Sequence, residues 1–171
     1  RKRMEKNNET LHVLRHSCSH IMAQAVQKLF PQAKLAIGPA TDNGFYYDFD
    51  LTDGYAFTHD DLVKIEEEMK NIIKQNLTFE KYVIPDVDKQ IAEFKAEGEI
   101  YKAELLEEHR NDNPTLYLTK DKDGNVLFND LRIDLIEFRK LKLNDIEILS
   151  KYYHSTNVEL LYRYVRRKIN E

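Results

Sequence analysis

His12, His16 and His20 recur at every fourth residue. In an α-helix each such step advances only about 40° around the axis, so the three imidazoles stand one turn apart on one face. Two imidazoles placed this way can hold a metal ion, a water or a polar substrate; on a solvated face they are ordinary surface residues. Ser17 follows His16, where a metalloprotease helix carries the Glu that serves as general base, and that chemistry is disfavoured. Cys18 is the only cysteine, which excludes an intrachain disulfide and zinc sites built on two or more cysteines. A metal hydrolase using His12, His16 and His20 needs ligands the sequence does not visibly provide, so no metal and no cofactor are expected.

The elements that position these residues are legible from periodicity. Leu11, Leu14, Cys18, Ile21, Met22, Ala25, Val26 and Leu29 recur at three- and four-residue spacing ahead of Pro31, the pattern of a long amphipathic helix. Its apolar stripe puts His16 and His20 on the opposite side, with Ala23 and Gln27. That second face is either solvated or covered, and only a covered face lines a polar pocket. Residues 34–37 and 45–51 read as short strands joined through Asp42-Asn43-Gly44. Thr58-His59-Asp60-Asp61 resembles a capping box ahead of a second helix on Leu62, Ile65, Met69 and Ile72. A strand over 79–84 closes at Pro85, and Asp86 caps a third helix that stops at Gly98. Strands over 116–119 and 126–128 flank Asp121-Lys122-Asp123-Gly124, a turn that lacks the ligand pattern of a calcium loop. From Ile133 a strand to Phe138 and two short helical patterns are expected.

Composition sets the broad class. The chain has 171 residues, 42% of them hydrophobic, with 8 Phe and 10 Tyr to fill an interior, enough for one domain with an appendage. No apolar run approaches the roughly 18 residues of a membrane span, so a soluble, cytoplasmic protein without membrane contact is expected. The formal charge of -4 is uneven. Basic residues are in surplus over 1–15 and 162–171, which leaves the middle strongly acidic and limits any nucleic-acid contact to local patches. Tyr152, Tyr153, Tyr162 and Tyr164 beside Arg163, Arg166 and Arg167 fit either a stacking surface for single-stranded RNA or a helical pair packed on the main domain. Because the sequence starts at Arg1, a piece of something longer is also an expectation.

Leu14-Arg15-His16-Ser17-Cys18-Ser19-His20, then Ile37-Gly38-Pro39 and Asn43-Gly44-Phe45-Tyr46-Tyr47-Asp48, resemble the editing domain of threonyl-tRNA synthetase, the second additional domain that this family shares with alanyl-tRNA synthetases. Gly98-Glu99-Ile100-Tyr101-Lys102 and Asn129-Asp130-Leu131 are similar to two further segments, so the resemblance covers roughly residues 10–131. In that family the domain hydrolyses serine wrongly esterified to threonine tRNA. Its necessity is physical: serine lacks one methyl of threonine, which a pocket senses as only about 1–3 kcal/mol. The resemblance implies that His16 and His20 line the pocket and that Lys102 orients or deprotonates the attacking water. It further implies that Tyr47 and Gly38 shape the pocket, and that Asp130 contacts the amino acid. Read by themselves, Lys102 is a solvated lysine, Asp130 a strand-end turn former and Tyr47 a core aromatic.

After Leu131 the chain reads Arg132-Ile133-Asp134, where the family continues Cys-Arg-Gly-Pro-His. The Cys and His wall of the pocket is therefore missing, and bulk water is expected to screen Lys102 and restore its ordinary basicity. The expectation is an α+β domain over 1–132, a mixed or antiparallel sheet flanked by the histidine helix and the acidic second helix, with a divergent strand and helical tail over 133–171. The expected partner is the aminoacyl end of threonine tRNA mischarged with serine, with hydrolysis impaired. The rival is a non-catalytic remnant or tRNA-end binding module. Nothing in the chain matches an aminoacylating core.

Overall fold

The computed structural model describes residues 2–38 (side chains from Arg15 onward), 45, 47–51, 55–75 and 77–133. The expected strand and helices of the tail, from residue 134 onward, lie outside the described residues.

Helix α1 spans Lys2–Leu29 and ends where Pro31 removes a backbone donor, the chain turning back through Ala33 N donating to Phe30 O. Strands β1 (Lys34–Leu35) and β2 (Phe49–Asp50) pair antiparallel. Two further bonds between Ala36, Ile37 and Asp48 lengthen that ladder. Helix α2 (His59–Lys74) opens on the expected capping box, in which Thr58 Oγ1 accepts from Asp61 N and Asp61 Oδ2 accepts from Thr58 N. Strand β3 (Thr78–Val83) leads to α3 (Val87–Ala96), capped by Asp86. Gly98, at φ +76°, reverses the chain there into α4 (Ile100–Glu108), an element the sequence pattern did not reveal. Strands β4 (Thr115–Lys120) and β5 (Val126–Arg132) complete the described fold. Between them Asp121 accepts from the backbone of Asp123 and Asn125 while Gly124 adopts φ +83°, which makes the acidic tetrapeptide a turn.

The architecture is α+β, and among the described residues the strands form two antiparallel sheets, β1–β2 and β3–β4–β5, where one was expected. Each sheet organises its own apolar cluster. Ile21, Met22, Ala25 and Val26 of α1 pack on Leu62, Ile65, Met69 and Ile72 of α2 and on Phe49 and Phe57. Ile91 and Phe94 of α3 with Ala103 and Leu106 of α4 pack on Leu116, Leu118 and Leu131 of the larger sheet.

The register of the larger sheet fixes which residues share a face, because strand side chains alternate. Leu118 pairs with Asn129 and Leu116 with Leu131, facing α3 and α4, while Thr119 pairs with Phe128 and Tyr117 with Asp130 on the reverse face. Asn129 and Asp130 are thus aimed in opposite directions from one edge strand.

Removing the Thr58 hydroxyl leaves the first turn of α2 without its cap acceptor. Thr58→Ala should cost about 1 kcal/mol and lower the melting temperature by about 2–4 °C for a chain of this size, with Thr58→Ser close to wild type. Calorimetric melting checks this, and an unchanged melting temperature in the alanine variant would show that the box is ornamental.

Candidate functional site

Along residues 18–26, α1 is covered on both sides, and the histidine face is therefore interior. His20 is 1% exposed. Its Nδ1 lies 3.4 Å from Asp130 Oδ2 and its Nε2 lies 2.5 Å from Thr119 Oγ1. A carboxylate only accepts, so Nδ1 donates to Asp130, and Nε2 pairs with the Thr119 hydroxyl. Phe128 and Phe79 meet the ring edge-on at 4.9 and 5.1 Å between centroids.

Asp130 is the hub. Its Oδ1 accepts from Tyr47 Oη at 2.6 Å, and Arg132 Nε stands 3.5 Å from Oδ2. It is 1% exposed and sits inside β5, a correction to its reading as a strand-end turn former. Burial alone would raise its pKa; the hydrogen bond and charge of His20, then Arg132 and Tyr47, outweigh that and hold the carboxyl below the ordinary range. Tyr47 stacks on Phe49 at 4.9 Å. Burial first, then the Asp130 carboxylate, pushes its hydroxyl well above the ordinary phenol value.

Lys102, on α4, reaches the same edge strand from the other side. Its Nζ donates to Asn129 O and Asn129 Oδ1, both at 3.1 Å, and lies 5.5 Å from the centroid of Phe128, the ring that also touches His20. Lys102 is 2% exposed, so the expectation that water screens it is overturned. Burial lowers its pKa against the opposing pull of Glu99 and Asp130.

The other predicted residues sit around this cluster. His16 is half-buried one turn before His20, and its backbone carbonyl accepts from Arg132 Nη2 at 3.1 Å. Gly38 offers its carbonyl to Ser19 Oγ at 2.9 Å, tying the chain after β1 to α1. Cys18 is buried, which pushes its thiol up to about 11, and it packs in the α1–α2 core. His12 lies on α1, in the part followed by its backbone alone.

Thr119, Asn129 and Arg132 were not anticipated. Thr119 is fully buried, and Arg132 stacks 4.1 Å from the centre of Tyr117. The β4–β5 hairpin sets their faces, and the packing of α1 and α4, distant in sequence, brings His20 and Lys102 to them. The parts present are therefore a buried carboxylate that accepts from His20 and Tyr47 beside the Arg132 guanidinium, an imidazole held between that carboxylate and the Thr119 hydroxyl, and a lysine of depressed basicity on an adjacent strand residue. No helix among the described residues is long and apolar enough to cross a membrane.

An α+β domain whose polar groups converge on an edge strand is what the fold defines. Comparison with known proteins specifies it further. The chain is 50% identical over 117 residues to the threonine–tRNA ligase of Citrifermentans bemidjiense, 68% of this chain and 18% of that protein. It is 52% identical over 102 residues to that of Magnetococcus marinus, 60% of this chain and 15% of the relative. With the ligase of Clostridium tetani it shares 53% identity over 95 residues, 56% of this chain and 14% of the relative. No protein-family model matches. Over the matched residues the chain is a homologue of threonyl-tRNA synthetases, and it spans less than a fifth of the length of these relatives.

Proposed function

We propose that this chain is an editing-type domain that cleaves the ester of seryl-tRNA formed on threonine tRNA, acting in the cytoplasm on the aminoacyl end, and that its hydrolysis is slow. The observation that carries the reading is Lys102: buried, lowered in pKa, and held on Asn129 next to the His20–Asp130–Tyr47 group. An amine that sheds its proton more readily than a solvated lysine can take one from an attacking water. His20 and Tyr47 hold Asp130 ionised and fixed, so that it can orient the amino acid without reorganising.

Slowness follows from what the sequence lacks after Leu131. Two side chains of the family's pocket, Cys and His, have no counterpart after Leu131, where the chain reads Arg132-Ile133-Asp134. A near-attack geometry depends on every wall that positions ester and water, and effective molarity falls steeply with loose placement. Burial of Lys102 preserves the base, while the missing wall weakens substrate positioning.

A second reading, a tRNA-end binding module without chemistry, is favoured by one observation. Both ring nitrogens of His20 and both oxygens of Asp130 already have partners, and Lys102 already donates to two oxygens. Single-turnover release of labelled serine from seryl-tRNA, with enzyme in excess, separates the two. The hydrolase reading expects release above the spontaneous rate and faster than threonine release from threonyl-tRNA. Release equal to that of the tRNA alone, together with retained tRNA binding, would favour the binding module.

A further inference from the structure

The polar face of α1 continues past the histidines to Gln24 and Gln27. Gln27 Nε2 donates to Glu99 Oε1 at 3.3 Å, linking α1 to the start of α4. Glu99 stands at the N-cap position of α4, yet its side chain makes no capping bond. Its second oxygen, Oε2, is buried with no hydrogen-bond partner among the described residues, and Gln24 Oε1 is in the same condition. Gln24 and Gln27, three residues apart, are neighbours on the helix surface. Two buried acceptors without donors among the described residues thus belong to Gln24, one turn before the Gln27 that bonds Glu99, and to Glu99 itself, one turn before Lys102. Buried polar atoms of native proteins are nearly always satisfied, so these two call for a ligand that donates.

We propose that Glu99 and Gln24 seat a primary ammonium group, the protonated α-amine of an esterified amino acid. The identity of that amine rests on the editing reading above. An ammonium brings three donors and a positive charge, which suits one carboxylate oxygen and one amide oxygen; a hydroxyl in its place brings one donor and no charge. Lys102 does not fill the seat, because its Nζ is bonded to Asn129. A cation held at Glu99 also disfavours the charged form of Lys102, so seating the substrate would prepare the base.

The test is a calorimetric titration of the full chain with 3′-(L-serylamino)-3′-deoxyadenosine and with the matching compound whose α-amine is replaced by hydroxyl. The amine compound should bind about tenfold tighter or more, the discrimination that charge-assisted hydrogen bonds supply. Glu99→Gln should shrink that preference below about threefold, because the charged half of the interaction is gone. Gln24→Met should reduce it more mildly. Should Glu99→Gln fail to fold, the wild-type comparison and Gln24→Met decide. Equal binding of the two compounds to wild type, or a preference that survives Glu99→Gln in a folded protein, overturns the seat and leaves the hydrolase reading standing. Failure of both compounds to bind overturns the two together.

Discussion

Asp130→Ala should destabilise the protein by about 3–5 kcal/mol, the usual cost of breaking a buried ionic group by removing one partner. The carboxylate accepts from His20 Nδ1 and Tyr47 Oη and stands beside the Arg132 guanidinium, so two donors lose their acceptor and a buried cation loses its counter-charge at once. Tyr47→Phe removes a single bond and should cost only about 1 kcal/mol, since Asp130 Oδ1 alone loses its donor while His20 and Arg132 keep their carboxylate. The pH dependence has a fixed sign. Because the native carboxyl titrates below its unfolded value of about 3.9, its contribution is fully present above that value and is lost as pH falls through the native pKa. Asp130→Asn should lack this part of the acid transition. Urea unfolding at neutral and acid pH reads both effects, and an unchanged midpoint in Asp130→Ala would mean that the hub is not a hub.

Lys102→Ala carries the largest expected effect on activity. A positioned general base is worth about 10²–10⁴ in rate, so the variant should fall to the spontaneous rate of ester hydrolysis, whatever fraction of that range the wild type retains. The stability effect has the opposite logic to that of Asp130. A buried lysine of lowered pKa costs stability while it is charged in the native state, and that cost is relieved as pH rises from the native pKa towards the ordinary value near 10.4. The melting temperature of wild type should therefore gain on that of Lys102→Met as the solution is made alkaline. Lys102→Met is the better stability probe, since it keeps the packing between Phe94 and Phe128.

Local signals were legible wherever the physics is local. The Thr58 box, the Asp86 cap, the stop at Gly98 and the Asp121 turn each depend on a few neighbouring residues, and the structure has all of them. Helix α4 escaped because Glu99 makes no cap bond, and because burial of its polar Lys102 together with Ala103 and Leu106 defeats an apolar template. The division into two sheets was equally hidden, since strand partners are chosen by packing. At the candidate site, residue types in family-like segments pointed to His20, Tyr47, Lys102 and Asp130. Their partners Thr119, Asn129 and Arg132 did not stand out, because a threonine or an asparagine in a strand looks ordinary until its register is known. A solvated Lys102 fails for a related reason: the segment missing after Leu131 implies an opening, while Phe94, Phe128 and α4 itself enclose the amine.

The pH–rate profile of single-turnover serine release, measured for wild type and Lys102→Ala and corrected for spontaneous hydrolysis, decides whether Lys102 is the base. With Lys102 as the base, the wild-type rate should rise as its ammonium deprotonates and level off at a pKa below that of a free lysine, and Lys102→Ala should show no enzyme-dependent release at any pH. Release that persists in Lys102→Ala with an unaltered profile would contradict the account and leave the buried lysine a structural residue.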